Sequence, residues 1–300
     1  MIVADRRAPL SVVVATRDRP AALRRCLAAL AAEIQDGDEV VVVDSASLDR
    51  VAVAEVVDQA SIGAVTPALI RAPRPGASLA RNLGWQAARH RVVAFVDDDV
   101  EVMPGWAASL AEVFADPDVS FATGWIGVPD AQADVSEPNP LMIAPMPFRI
   151  DHDRRGLLGA SANFAATVEA LKDVGGFDER VGPGTWIAAG EDHELFDRLV
   201  AAGWCGAYTP DAKVEHDQSR TRRESFALHW RIGKGAGMRL ARLARHDRRR
   251  LPFVARELLL DDIAAALARS IREGYQTGTV FALLRLAGLV TGFVATPFVA

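Results

Sequence analysis

Cysteine and lysine are the scarce residues of this 300-residue chain, with two cysteines, Cys26 and Cys205, and three lysines against 31 arginines. Two thiols make neither a disulfide framework nor a Cys-rich zinc site, and a reducing compartment is the simplest setting. The arginine excess reads as compositional bias, because by itself it names no partner. Glycine is missing from the whole stretch between Leu10 and Ala32. A dinucleotide-binding fold needs a glycine-rich turn after its first strand, so a nicotinamide dehydrogenase is disfavoured. An export signal is not expected: the apolar run Leu10–Ala15 is too short for a signal h-region, and no small-residue cleavage site follows it. No internal repeat appears.

What is present is enough for a sizeable core. Half the residues are hydrophobic and 24% are charged, which suits one large α/β domain or two small ones and argues against disorder. The charge is unevenly placed. Residues 220–250 hold 11 Lys+Arg and 2 Asp+Glu, a local net of +9 that leaves −14 for the rest of a chain whose total is −5. Such a segment reads as a solvated helical face, or as a surface for anionic lipid head groups or a pyrophosphate-bearing substrate. No nucleic-acid motif accompanies it, so no nucleic-acid partner is assigned. From Thr279 to Ala300 the one charge is Arg285, and 15 uncharged residues follow it. As a helix those 15 would reach about 22 Å, short of a ~30 Å hydrocarbon core. Gly288, Gly292 and Pro297 weaken it further. A membrane-surface or partner-binding helix is favoured over a spanning one.

The first 125 residues repeat a strand–helix rhythm. Apolar runs at Leu10–Ala15 and Val40–Val43 suit strands covered on both faces of a parallel sheet. Between them Leu23, Leu27 and Leu30 keep helical spacing, with Pro20 in the first turn. A third strand is predicted at Ala68–Ile70, a helix at Ala77–Arg89, the strongest strand at Val92–Val96, a helix at Gly105–Ala115 and a strand at Val119–Thr123. This alternation predicts an open α/β sheet. Five prolines between 129 and 147 then mark a long loop or boundary. A helix is expected from Glu191 to Ala202, and mostly helix beyond Arg220.

In such sheets ligands gather beyond the carboxyl ends of the strands. Thr16-Arg17-Asp18-Arg19, Asp44-Ser45-Ala46-Ser47 and Asp97-Asp98-Asp99 fall there, as does the later Gly190-Glu191-Asp192-His193-Glu194. Alternation along an extended chain would point Asp97 and Asp99 to one side, where two hard oxygen ligands suit Mg²⁺ or Mn²⁺ shared with phosphate oxygens. The plainer reading is an exposed acidic turn. Asp192 lies ahead of the stripe Leu195, Phe196 and Leu199. It is either a general base at a cleft edge or a carboxylate favoured by the helix dipole. His216 is a candidate metal ligand or a structural histidine.

Taken together, SVVVATRDRP, VVVVDSAS, GASLARNLGW, VVAFVDDDVEVMPGW, GGFDER and GEDHELFDRLVAAGW, in that order from Leu10 to about His216, resemble the family 2 glycosyltransferases. The resemblance implies a GT-A fold: a Rossmann-like, mostly parallel central sheet flanked by helices, over residues 1–218. A basic then apolar helical extension would occupy 219–300. It implies an inverting hexosyl- or deoxyhexosyltransferase with a UDP-, dTDP- or GDP-linked sugar as donor. Thr16, Arg17, Asp44, Arg81, Asp97 and Asp98 would form the nucleotide site, with Asp44 reading the base. Asp97, Asp99 and His216 would hold Mg²⁺ or Mn²⁺, and Asp192 would be the catalytic base. Asp18 stands where an Asn is usual, and no Gln-x-x-Arg-Trp motif follows, so a processive polymerase is not expected.

The acceptor side is thinner. Stretch 127–150, Trp125 and the segment around Trp186 are candidate acceptor elements. The basic segment and apolar helices suggest a glycan or lipid-linked acceptor of the cell envelope. They also suggest a cytoplasmic protein, peripheral on the inner face of the plasma membrane through 220–250 and the C-terminal helices. Two alternatives stand beside this reading. One is a haloacid-dehalogenase-type phosphatase using Asp97 as nucleophile, the other a non-catalytic nucleotide-sugar-binding protein at the membrane.

Overall fold

The computed structural model describes residues 7–60, 62–63, 65–129, 143–151, 159–217 and 220–299. Contacts divide the chain into two compact units. The first comprises Met1–Arg154, Leu158–Phe177 and Leu195–Gln218, and the second includes Asp178–Glu194 and Ser219–Ala300.

The first unit begins with strands whose side chains are apolar on both faces: β1 (Leu10–Thr16) and β2 (Glu39–Asp44), joined by helix α1 (Pro20–Leu30). Proline opens α1, where a missing N–H costs nothing, and Leu23, Cys26, Leu27 and Leu30 face the sheet. Helix α2 (Arg50–Gln59), capped by the Asp49 carboxylate on the Ala52 N–H, leads to β3 (Ala68–Arg71). Helix α3 (Ala77–Ala87) leads to β4 (Val92–Asp97). A short β5 (Val100–Val102), α4 (Trp106–Val113), β6 (Val119–Gly127), β7 (Phe148–Ile150), β8 (Asn163–Thr167) and α5 (Val168–Val174) follow. α6 (Glu191–Ala201) and β9 (Cys205–His216) come next.

The strands form one sheet in the order β3-β2-β1-β4-β8-β6-β9-β5, with β7 also on β9. From β3 to β4 it is parallel, as expected. Beyond β4 it is mixed, because β8 runs antiparallel to both β4 and β6. The α/β class and the early element order follow the sequence closely. The strands β5, β7, β8 and β9 were not expected. CGAYTPDAKVEH has weak strand propensity, with Gly, Pro and three charged residues, and pairing to β6, β5 and β7 makes it a strand.

An aromatic cluster holds the middle of this unit. Phe164 stacks on Phe95 with ring centroids 5.5 Å apart and meets Phe196 of α6 at 5.0 Å, while Phe177 packs edge-on to Phe95 at 5.3 Å. Phe177 arrives through Gly175 and Gly176, both at positive φ (77° and 69°), where a Cβ at Gly176 would press on Asn82 and Trp85. The turn therefore needs glycine on both conformational and packing grounds.

In the second unit, Thr221 and Glu224 form a capping box at the start of α7 (Arg222–His246). α8 (Leu251–Arg256) continues through a π-helical stretch, Glu257–Ala264, into α9 (Ala265–Arg272), and α10 (Gln276–Val299) closes the unit. Residues 178–194 are tied to α7: Arg242 pairs with Asp178 and Glu194, each at 2.6 Å. Burial alone would raise the Asp178 carboxyl, but hydrogen bonds from Arg180 and Arg242 hold it well below the usual carboxylate range. α10 begins nine residues before Arg285 and has 24 residues, about 36 Å at 1.5 Å per residue. The shorter helix expected from the uncharged tail alone is thus corrected, since Arg285 is accommodated inside α10.

The aromatic cluster yields a test. Phe164→Ala removes a fully buried ring and should lower unfolding free energy by about 3–5 kcal/mol, as measured by urea denaturation.

Candidate active site

Strand register builds the site. Parallel pairing sets Arg71 beside Asp44, Asp44 beside Thr16, and Ala15 beside Asp97. The carboxyl ends of β3, β2, β1 and β4 thus deliver one row of polar residues. From β1 the chain steps outward to β2 and β3 and then crosses back to β4 on the other side of β1, and such a switch point is where open α/β sheets bind ligands.

At the end of β2, Asp44 is almost wholly buried. Its carboxylate accepts from the Ser47 N–H at 2.9 Å and from Arg71 at 2.7 Å. After β1, Asp18 adopts a left-handed φ of 56°, which Asp tolerates better than most residues. Its N–H donates to Ser47 Oγ at 2.9 Å and its carboxylate accepts from the Leu48 N–H at 2.6 Å. The carboxylate that replaces the usual amide therefore laces the first two loops together. Arg17 is exposed beside it, 3.4 Å from Asp18.

The acidic triplet leaves β4 through a turn at Asp98 and Asp99. Asp97 accepts from Arg81 of α3 at 2.7 Å, and the Arg81 guanidinium lies over the Phe177 ring at 5.5 Å. Asp98 is buried and accepts from Thr16 Oγ1 at 2.8 Å. Arg19 bridges Asp98 at 3.2 Å and Asp99 at 2.7 Å. His216 Nε2 lies 3.1 Å from Asp99 Oδ1. Burial, then the adjacent Asp99, pushes the Asp98 carboxyl up to about 6 against the pull of Arg19. Burial would raise Asp99 as well, but the His216 hydrogen bond and charge, with Arg19, hold it below its ordinary value.

Asp97 and Asp99 do share a site, as expected. The turn brings them together rather than strand alternation. His216 joins them because β9 pairs antiparallel with β5, setting His216 opposite Val100, while the Asp217 N–H donates to the Asp99 carbonyl at 2.9 Å. One ligand atom from each of Asp97, Asp99 and His216 lies within 4.8 Å of the others. Two hard oxygens and an imidazole nitrogen, all partly exposed, form a donor set that fits Mg²⁺ or Mn²⁺ with positions left for other oxygens.

Asp192 stands in the first turn of α6 and belongs to the second unit. Its Oδ1 accepts from the His193 N–H at 2.8 Å and lies 2.9 Å from His193 Nδ1. Leu195, Phe196 and Leu199 of the same helix are fully buried. Trp186, also of the second unit, is half-exposed, with the Lys234 ammonium 4.4 Å from its ring centroid. Trp125 of β6 is partly buried. Within stretch 127–150, residues 130–142 lie outside the described residues.

Sequence reasoning missed Arg19 and Arg71. Both could have been found: three adjacent carboxylates, and one buried at a strand end, each require a nearby counter-charge. Arg19 and Arg71 each close a segment beside such a carboxylate.

The sequence matches glycosyl transferase family 2 over residues 11–172, more than half of the chain. Two proteins of Mycobacterium tuberculosis (strains CDC 1551 / Oshkosh and ATCC 25618 / H37Rv), both called pre-mycofactocin glycosyltransferase, are 30% identical to it over 254 residues. That alignment covers 82% of this chain and 50% of each of them, so the chain spans about half the length of the curated relatives it matches. Among solved structures, a mannosyltransferase from Pyrobaculum calidifontis in complex with GDP-Man and Mn²⁺ superposes with a TM-score of 0.64 at 18% identity. It is matched over 98% of this chain and 88% of its own. Residues 1–349 of TarS from S. aureus, in complex with UDP-GlcNAc, superpose with a TM-score of 0.56 at 13% identity, over 97% of this chain and 92% of that one. These likenesses establish the GT-A fold, and the haloacid-dehalogenase alternative falls with them. By the extent of its family match, the chain belongs to glycosyl transferase family 2.

Proposed function

We propose that this protein is a metal-dependent, inverting glycosyltransferase. It would move a hexosyl or deoxyhexosyl group from a nucleotide-diphosphate donor to an acceptor hydroxyl on a glycan or lipid-linked glycan of the cell envelope. The observation that carries the reading is the convergence of Asp97, Asp99 and His216 at the end of β4, in one row with Thr16 and Asp44. The donors named for the solved neighbours, GDP-Man and UDP-GlcNAc, support a nucleotide sugar without choosing its base.

In this reading Thr16, Arg17 and Asp44 receive the nucleoside. Arg71 fixes the Asp44 carboxylate by its 2.7 Å contact, leaving lone pairs on both oxygens for a base N–H. Thr16 also fixes Asp98 at the nucleotide site, and Arg81 orients Asp97. Asp97, Asp99 and His216 hold Mg²⁺ or Mn²⁺, which when bound supplies positive charge beside the leaving diphosphate. Arg19, more than half exposed, adds a guanidinium at the same edge.

Asp192 is the base. Its Oδ1 accepts from the His193 N–H, which fixes the carboxylate, and the carboxylate takes the acceptor hydroxyl proton. The acceptor oxygen bonds to the anomeric carbon as the bond from that carbon to the diphosphate oxygen breaks on the opposite face. The configuration inverts, the proton rests on Asp192, and the nucleoside diphosphate leaves with the electron pair. Proton removal by a positioned base contributes about 10²–10⁴-fold.

Two substitutions test these roles. Asp192→Asn should lower sugar transfer by about 10²–10⁴-fold while calorimetric binding of the donor nucleotide persists. Lost nucleotide binding with transfer retained would reverse the assignment. Asp99→Ala should abolish the Mn²⁺-dependent part of nucleotide affinity, again read by calorimetry across UDP-, GDP- and dTDP-sugars, and unchanged binding would remove Asp99 from the metal set.

A further inference from the structure

The second unit leaves one face of α10 uncovered by its own packing. α7 and α10 run parallel and meet on glycine. A Cβ at Gly233 or Gly237 would collide with the backbone of Arg285 or Leu289, and one at Gly288 or Gly292 with the backbone of Trp230 or Lys234. Each helix thus turns a Gly-x-x-x-Gly pair toward the other, and the two backbones approach closely.

The opposite side of α10 is unlike this. Val280, Leu283, Leu286, Val290 and the adjacent pair Phe293 and Val294 are exposed, each step before that pair being three or four residues, with no charged residue among them. From Val280 to Val294 this stripe runs about 21 Å. The one charge on α10, Arg285, turns elsewhere and hydrogen-bonds Asp262 and His229.

Arginines frame the stripe at both ends. Where α7 and α10 begin and α9 finishes, Arg222, Arg223, Arg269 and Arg272 are exposed, and Arg222 donates to Thr277 Oγ1 at 3.2 Å. Where α7 finishes and α8 follows, Arg245, Arg248 and Arg249, and Arg256 at the end of α8, are exposed. Against these eight, the exposed acids of the described residues from 220 to 299 are Glu224, Asp261 and Glu273. A wet helical partner would call for charged residues flanking the seam, whereas Leu286 and Phe293 flank this one.

α10 is, among the described residues, the one helix long and apolar enough to cross a bilayer. Its packing argues against crossing. The far side of α7 is fastened to residues 178–194: Lys234 donates to the Trp186 carbonyl, Arg242 binds Asp178 and Glu194, and Met238 packs with Val181 and Ile187. Carrying α10 through hydrocarbon would take these ionic groups with it, at high cost.

We infer that α10 lies in the plane of an anionic bilayer surface. Its Val280–Val294 stripe sinks to the boundary between head groups and acyl chains, and the arginines at its two ends bind lipid phosphates. The inference supplies a surface for a lipid-linked acceptor but does not depend on the transfer chemistry.

Sedimentation of the full chain with vesicles of phosphatidylcholine, alone or mixed with phosphatidylglycerol, tests it. Binding is expected to the anionic vesicles, to weaken with salt, and to be reversed by alkaline carbonate. Leu283→Glu with Val290→Glu should weaken it on the order of tenfold or more, with circular dichroism and the nucleotide-induced thermal shift unchanged. That thermal shift reports separately on the donor site. Arg269→Glu with Arg272→Glu, which leaves the stripe intact, should weaken anionic binding as well. Resistance to carbonate would make α10 a spanning helix and overturn the inference. So would vesicle binding indifferent to both double substitutions. Absence of vesicle binding would overturn it too, and a dimer by light scattering that the Leu283/Val290 pair dissociates would instead make the stripe a contact between copies.

Discussion

Three consecutive carboxylates at the end of a buried strand are the constraint on which the first unit depends. Two unit charges 4 Å apart interact by about 4 kcal/mol at an effective dielectric near 20, so Asp97, Asp98 and Asp99 cannot share a turn without compensation. Compensation comes from four places: Arg81 on α3, Thr16 at the end of β1, Arg19 just before α1, and His216 at the end of β9. Each requires its element to be in place in the first unit: β1 paired with β4, α3 packed on β1 and β2, α1 packed on β5, and β9 paired with β5. Neutralising the triplet and assembling the sheet around β4 are therefore one event, and the oxygens are held in place by the groups that make their charge tolerable.

The same economy appears beside it. Asp44 is buried at the end of β2 and receives Arg71 from the end of β3 through strand register alone. Asp18 spends its carboxylate on the Leu48 N–H and so joins two loops that the chain separates by about 30 residues. Preorganised donors and acceptors of this kind suit the proposed role of receiving a nucleotide and a diphosphate without rearranging. In the second unit the balance differs: glycine-to-backbone packing and internal ion pairs do the holding, and apolar side chains are left facing outward.

Much of the fold was legible because its signals are local. Unbroken Val runs mark β1, β2 and β4, leucines at helical spacing mark α1, and Asp or Thr at each run's end marks the edge where ligands gather. β9 was not legible. Its Gly, Pro, Asp and Lys speak against a strand, and it becomes one because β6, β5 and β7 offer it partners. The length of α10 was also obscured. Arg285 reads as a break in an apolar run until Asp262 and His229 take it up, and Gly288 and Gly292 read as weakness until α7 closes on them.

By itself the sequence determined which chemical groups the strand ends carry, since those are fixed by residue identity a few positions beyond each apolar run. It determined the acidic triplet, the basic segment 220–250 and the family order of motifs in the same way. Only the tertiary structure decided which cation serves which carboxylate, that His216 stands beside Asp99, and which side of α10 is left bare. Those outcomes rest on pairings between residues up to about 120 positions apart, and such distances are set by sheet register and helix crossing, which no local pattern encodes.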